Sequence, residues 1–314
     1  MNIKLPDLQF YKSKLLLKGI QHPLDSVSFY DDGLLNKLPV PPSGKTGWPW
    51  TQETDPALYD KNINWPKLTI VTPSYNQSNF IEETIRSVLL QNYPNLEYII
   101  MDGGSTDCSA VIIKKYSKWI SYWQSEKDRG QGHAINQGFS LASGEFYAWI
   151  NSDDYYLKNV FYRVIKTFLH KNASFIYGYV YNFDVKEQQL ALVKTNPLID
   201  YFLRFPALAQ PTCFWEATVH QPIWEELHCS LDFELWQRLL KGRTRKLLKQ
   251  PLAVANVHDD AKTHDPQMGL TWRHDHELIC SNDGHGPVNN WDKKVLLLKL
   301  YNTLFKLIEK IFSF

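Results

Sequence analysis

Residues 68–102 read LTIVTPSYNQSNFIEETIRSVLLQNYPNLEYIIMD, and this stretch decides the fold. LTIVTP (68–73) is a short β-branched apolar run ending at Pro73, the pattern of a buried parallel strand. Over 79–91 the apolar residues Ile81, Ile85, Val88 and Leu89 fall on one helical face. LEYIIMD (96–102) is a second buried strand, closed by Gly103 and Gly104. Outward from there the alternation continues. A helix is expected at about 107–116, a strand at WISYWQS (119–125), a helix within 130–144, and a strand at EFYAWIN (145–151). Strand and helix alternate from 68 to about 170, which predicts βαβ units and a mostly parallel sheet.

The flanks read differently. Residues 1–66 carry Pro and Gly clusters such as KLPVPPSGKTGW (37–48) and predict an irregular extension packed on the main domain. The chain has 314 residues, 44% of them apolar, enough for a sizeable core. A net charge of +1 provides no global field for nucleic acid, so small-molecule chemistry is favoured. The four cysteines (Cys108, Cys213, Cys229, Cys280) form no C-x-x-C pair, which fits reduced thiols in the cytoplasm. No signal peptide and no run of about 18 apolar residues is visible, so a spanning helix is not expected.

In parallel sheets the residues just beyond the strand C-termini line the ligand crevice. Here those positions hold Ser74-Tyr75-Asn76, Asp102-Gly103-Gly104, Glu126-Lys127-Asp128-Arg129 and Asn151-Ser152-Asp153-Asp154. Adjacent carboxylates such as Asp153 and Asp154 repel unless a cation lies between them, and hard oxygen ligands suit Mg²⁺ or Mn²⁺. The bland alternative is a pair of helix N-caps, a role that also suits Ser105 or Asp107. Asp102 can accept hydrogen bonds from a nucleobase, with the glycines letting a ligand approach the backbone. Arg129 can place a fork of donors on phosphate. No G-x-x-x-x-G-K-[ST] is present, and Gly130-Gln131-Gly132 fails G-x-G-x-x-G because position 135 is Ile. A P-loop NTPase and a nicotinamide dehydrogenase are therefore disfavoured.

Six blocks in order, TIVTPSYNQ (69–77), DGGSTD (102–107), SEKDRGQGHAINQGF (125–139), WINSDD (149–154), QPTCFW (210–215) and LDFELWQRLL (231–240), resemble the family 2 glycosyltransferases. The resemblance covers roughly 66–264. It implies an α/β, GT-A (Rossmann-like), mostly parallel sheet flanked by helices, with the irregular N-terminal extension and a helical C-terminal tail. It also implies an extension at 1–66, a GT-A domain at 67–264 (nucleotide half 67–154, acceptor half 155–264) and a C-terminal segment at 265–314. The implied activity is inverting transfer from a nucleotide sugar, UDP foremost, to a saccharide or lipid-linked hydroxyl, in polysaccharide or glycolipid assembly, with Mn²⁺ or Mg²⁺ as cofactor. By the same resemblance the donor-binding residues are Thr72, Pro73, Tyr75, Asp102, Arg129, Asn151 and Asp153, and the metal ligands are Asp153 and His258. Asp232 is the general base, and the acceptor side comprises Asp154, Gln210, Trp215 and Glu234.

The chain departs from the family pattern in three places. Asn151 stands where many members have Asp, Leu231 precedes Asp232 where Glu is usual, and Glu216 replaces a basic residue. Glu234 therefore rivals Asp232 as the base, and a helix N-cap is the structural alternative for Asp232. His258 equally suits a surface histidine. His264, His274 and His276 are too irregularly spaced to suggest zinc. Residues 291–314 make an amphipathic helix suited to peripheral contact with the inner face of a membrane or to docking on protein, a second subunit included. A nucleotidyltransferase lacks its expected Gly-rich basic loop after the first strand. A glycoside hydrolase leaves DGGSTD and NSDD unexplained. A catalytically inactive sugar-nucleotide-binding scaffold is the reading from outside catalysis.

Overall fold

The computed structural model describes residues 3–195, 208–259, 261–262 and 268–282, with positions 300, 303 and 304. The amphipathic helix expected at 291–314 otherwise lies outside the described residues, as do His264 and residues 196–207 of the expected acceptor half. Among the described residues no helix is long and apolar enough to cross a membrane.

Strand β1 (Leu68–Ser74) and strand β2 (Leu96–Asp102) are buried along their whole lengths, as continuous apolar runs in a parallel sheet must be. They pair in parallel from Leu68 opposite Leu96 to Ser74 opposite Asp102. β3 (Tyr122–Ser125) extends the sheet beyond β2, and β4 (Phe146–Trp149) lies on the other side of β1, both parallel. Helix α1 (Leu8–Leu16) precedes this core. α2 (Ile81–Leu89), α3 (Ser109–Lys115) and α4 (Gln131–Leu141) form the crossovers within it. Gly138 lets α4 lie close on β1, since a Cβ there would stand 2.5 Å from Val71 Cγ1.

The short β5 (Tyr155–Tyr156) precedes α5 (Val160–His170), after which the sheet grows by β6 (Phe175–Asp184), β7 (Gln189–Val193), β8 (Phe214–Glu216) and β9 (Arg245–Val257). The strand order is β3-β2-β1-β4-β8-β6-β9-β5, with β7 paired to β6. β8 is antiparallel to both β4 and β6, and β6 is parallel to β9. Consequently β1, β2, β4, β6 and β9 all end at the same edge, and that edge is the crevice. α6 (Leu231–Leu239) and α7 (Gly269–Asn282) complete the described chain. Trp149, Trp215 and Trp236 lie together in the core, Trp149 stacked on Trp236 at 5.3 Å between ring centroids.

The expectation of an irregular extension needs one correction. Residues 8–16 form α1, capped by Asp7, whose carboxylate accepts from Gln9 N at 2.9 Å. Only Tyr11 and Leu15 of that helix are buried, too few to leave a readable apolar stripe. The extension is bound to the domain by specific contacts. Trp48 Nε1 donates to Tyr156 O at 2.8 Å, and Tyr11 OH donates to Glu225 at 2.8 Å.

Candidate active site

At the tip of β2, Asp102 is buried. Its Oδ2 accepts from Ser105 N (2.9 Å) and Ser125 Oγ (2.6 Å), and its Oδ1 accepts from Ser105 Oγ (2.5 Å). The neighbouring glycines serve packing between loops, not the ligand approach expected from sequence. A Cβ on Gly103 would meet Asp128 Oδ2 at 2.9 Å, and one on Gly104, at φ +78°, would meet Lys127 N at 3.0 Å. The β1 tip is laced to the same turn. Asn76 N donates to Ser105 Oγ and Ser78 N to Asp107, whose other oxygen accepts from Ser109 N at the start of α3. Tyr75 stands exposed above these loops, lining an open cleft with Asn76, Gln77, Asn79 and Phe80. Thr72 and Pro73 are buried in β1, and Thr72 Oγ1 lies 3.2 Å from the buried Tyr98 hydroxyl. The Thr72 side chain therefore belongs to the core, contrary to the donor-contact expectation. Arg129 also departs from expectation. Its guanidinium is held by Glu225 and Tyr11, each at 2.6 Å, and Glu225 neutralises its charge.

Past β4, residues 151–154 form a turn closed by Asp154 N donating to Asn151 O at 3.1 Å. The two carboxylates part company there. Asp154 turns inward, is buried and accepts from Asn256 N at 3.2 Å; burial first, then the charge of Asp153, pushes its pKa well above the usual value. Enclosed within the fold and bonded to Asn256, Asp154 does not face an acceptor, which corrects its acceptor-side assignment. Asp153 faces the crevice, its backbone oxygen fixed by Asn256 Nδ2 and its Oδ2 lying 3.3 Å from His258 Nε2 at the end of β9. Phe80 stacks on the His258 ring at 4.6 Å between centroids, which sets the plane of the imidazole. Two ligands cis on an octahedral ion with bonds of about 2.1 Å stand about 3 Å apart, so this carboxylate–imidazole pair fits a shared divalent cation. Asn151 Oδ1 accepts from Gln131 Nε2 at 2.8 Å, so the residue standing in place of Asp is tied to α4.

Asp232 lies in the first turn of α6, and burial raises its pKa to about 6 against the opposing pull of the Phe233 and Asp232 amides. Its charge reaches the buried Cys213 thiol, which places it beside the start of β8. Glu234, the rival base, is a poor candidate. Arg238 grips both its oxygens, at 2.6 and 2.7 Å, and is itself fixed by Gln221 and Pro222 O. Trp215 is fully buried among Trp149, Phe175 and Trp236 and cannot reach an acceptor. Gln210 donates to Trp149 O at 2.8 Å, and its Oε1 is buried without a partner among the described residues.

One residue unnoticed in the sequence organises α6. Asp275 of α7, fully buried, accepts at Oδ2 from His228 N, Cys229 N and Ser230 N at 2.9, 2.6 and 2.9 Å. These are the amides leading into α6, where the helix leaves N–H groups without partners. Asp275→Ala is expected to lower stability by about 2–3 kcal/mol by leaving three amides without their acceptor, the Ser230 amide buried and the other two partly so, read as a lower melting temperature. A change below about 0.5 kcal/mol would contradict that role.

The curled, mostly parallel sheet has a GT-A-type fold. Residues 69–220 match the family model "Glycosyl transferase family 2". It is 27% identical over 220 residues to an uncharacterized glycosyltransferase of Rickettsia typhi, covering 65% of this chain and 68% of that one. Against the next relatives it spans 38% of their lengths. In fold it is similar to S. aureus TarS 1–349 in complex with UDP (TM-score 0.54, 18% identity, 78% of this chain and 73% of that one). It is also similar to the mannosyltransferase PcManGT of Pyrobaculum calidifontis in complex with GDP-Man and Mn²⁺ (TM-score 0.51, 16% identity, 81% and 70%).

Proposed function

We propose that the chain transfers a sugar, with inversion, from a nucleoside-diphosphate sugar to a saccharide or lipid-linked hydroxyl, in assembly of a polysaccharide or glycolipid. The observation that carries this reading is the Asp153–His258 pair at 3.3 Å on the crevice edge, two strand ends from Asp102. Asp102 and Tyr75 receive the nucleobase end of the donor, and Asp153 and His258 hold a divalent ion. The ion, when bound, supplies positive charge to the diphosphate leaving group. Asp232 takes the proton from the acceptor hydroxyl as its oxygen bonds to the anomeric carbon and the bond to the diphosphate breaks. A carboxylate with a pKa of about 6 is mostly ionised at neutral pH and still basic enough for that transfer. The UDP of the TarS complex and the GDP-Man and Mn²⁺ of the PcManGT complex support a nucleotide sugar with a divalent metal. UDP is the first nucleotide to try and GDP the second.

The reading is tested by offering a panel of UDP- and GDP-sugars with Mn²⁺ and a bacterial lipid and oligosaccharide extract, and measuring released nucleoside diphosphate. Release from one donor by wild type and its absence with Asp232→Asn is the expected result. No release from any donor, or equal release by the variant, contradicts the assignment.

A further inference from the structure

The donor site described above is short of positive charge. Asn151 contributes none, Asp153 adds a negative charge of its own, and Arg129 is neutralised by Glu225. A single divalent ion would face both the donor diphosphate and Asp153. When the diphosphate leaves it gains a further negative charge, and a preorganised cation beside it lowers the barrier most at that moment.

Lys262 stands in the right place. Its Nζ donates to Gln131 Oε1 and to His228 O, each at 3.0 Å, and Gln131 in turn donates to Asn151 in the turn that carries Asp153. Both acceptors of the ammonium are neutral, and among the described residues no carboxylate forms an ion pair with it. The residue as a whole is exposed, but its ammonium is surrounded by protein groups. That desolvation pulls its pKa below the usual lysine value, while the charges of Cys229, Asp275 and Asp153 oppose the shift. Lys262 thus bridges the loop before α6, which leads to Asp232, and the turn that carries Asp153. A cation held by neutral, exchangeable partners at this junction can swing to an incoming anion at little cost.

We propose that Lys262 is a diphosphate-binding residue, its ammonium exchanging Gln131 and His228 for the phosphate oxygens of the nucleotide. This rests on the donor-site reading above. Because the contact is to phosphate and not to the nucleoside, it predicts a selective loss. The test titrates wild type, Lys262→Met and Lys262→Arg with whichever of UDP and GDP wild type binds, and separately with the matching nucleoside, with Mn²⁺ present throughout. Lys262→Met is expected to weaken nucleoside-diphosphate binding about 10-fold or more and leave nucleoside binding within about twofold, with Lys262→Arg recovering part of the loss. Unchanged diphosphate binding by Lys262→Met overturns the proposal. Equal losses for nucleoside and diphosphate also overturn it, assigning Lys262 to loop architecture instead. A wild type that binds neither nucleotide sinks the donor-site reading itself, and this assignment with it.

Discussion

Asp232→Asn is expected to lower sugar transfer by about 10²–10⁴-fold, the usual worth of a positioned general base, with nucleotide binding and folding near wild type. Asparagine keeps the shape and the polar fit at the start of α6 but cannot accept the acceptor's proton. The same assignment sets a pH profile. The base works ionised, so activity should fall as pH drops through about 6, the value to which burial raises the Asp232 pKa. Stability should move the other way. The folded protein holds the Asp232 proton at a pH where the unfolded chain, with a pKa of about 3.9, has released it. More protons bound in the folded state means that this residue's contribution to stability falls as pH rises from about 4 to about 6. Both trends can be followed in one preparation, by rate and by melting temperature against pH. A rate profile flat through pH 6, or a variant retaining more than about a tenth of the activity, would remove Asp232 from the base role and reopen the site around Gln210 and Trp149.

Arg86→Ala should lower stability by about 3–4 kcal/mol. Arg86 is fully buried in α2 and stands against backbone carbonyls. Its Nε donates to Pro49 O (3.0 Å), Nη1 to Pro39 O (2.9 Å) and to the Tyr116 hydroxyl (3.1 Å), and Nη2 to Trp50 O (2.8 Å). One guanidinium thereby fastens Pro39, Pro49 and Trp50 to the domain, alongside the contact of Trp48 with Tyr156. Truncation leaves three carbonyls without donors and a cavity under the extension, and lysine cannot replace a planar fork that reaches three directions. A fall in melting temperature of roughly 6–16 °C is expected for Arg86→Ala. A drop under about 1 kcal/mol would mean that the extension is held chiefly by its apolar contacts, such as Leu24 and Leu34 in the core.

Much of the nucleotide half was legible because its signals are local. β1 begins at Leu68 as expected and runs one residue past Pro73, and β2 spans 96–102 as read, because buried parallel strands are unbroken apolar runs. Helix α2 is shorter than its predicted span by about two residues at each end, where periodicity carries least information. The reversal at β8 was not legible. Three residues, Phe214–Glu216, leave no period to count, and their direction follows from tertiary packing against β4 and β6. In the site, Asp153 and His258 lie 105 residues apart, and only the resemblance connected them before the fold did. Sequence could not say which of two adjacent aspartates faces the crevice, because that depends on the turn after Trp149. The Asp275 contact to residues 228–230 and the Lys262 contact to Gln131 are likewise long-range pairings with no local pattern. Arg129 was misjudged for a related reason. A lone arginine in a loop looks free until Glu225 and Tyr11 are folded against it.

The central claim is that Asp153 and His258 hold the ion that binds the donor diphosphate. It is tested most directly by calorimetric titration of UDP, and then GDP, into wild type and Asp153→Ala with and without Mn²⁺. The account predicts binding by wild type that requires Mn²⁺ and is lost in Asp153→Ala at unchanged melting temperature. Binding that is the same in the variant, or absent from wild type for both nucleotides, would contradict it.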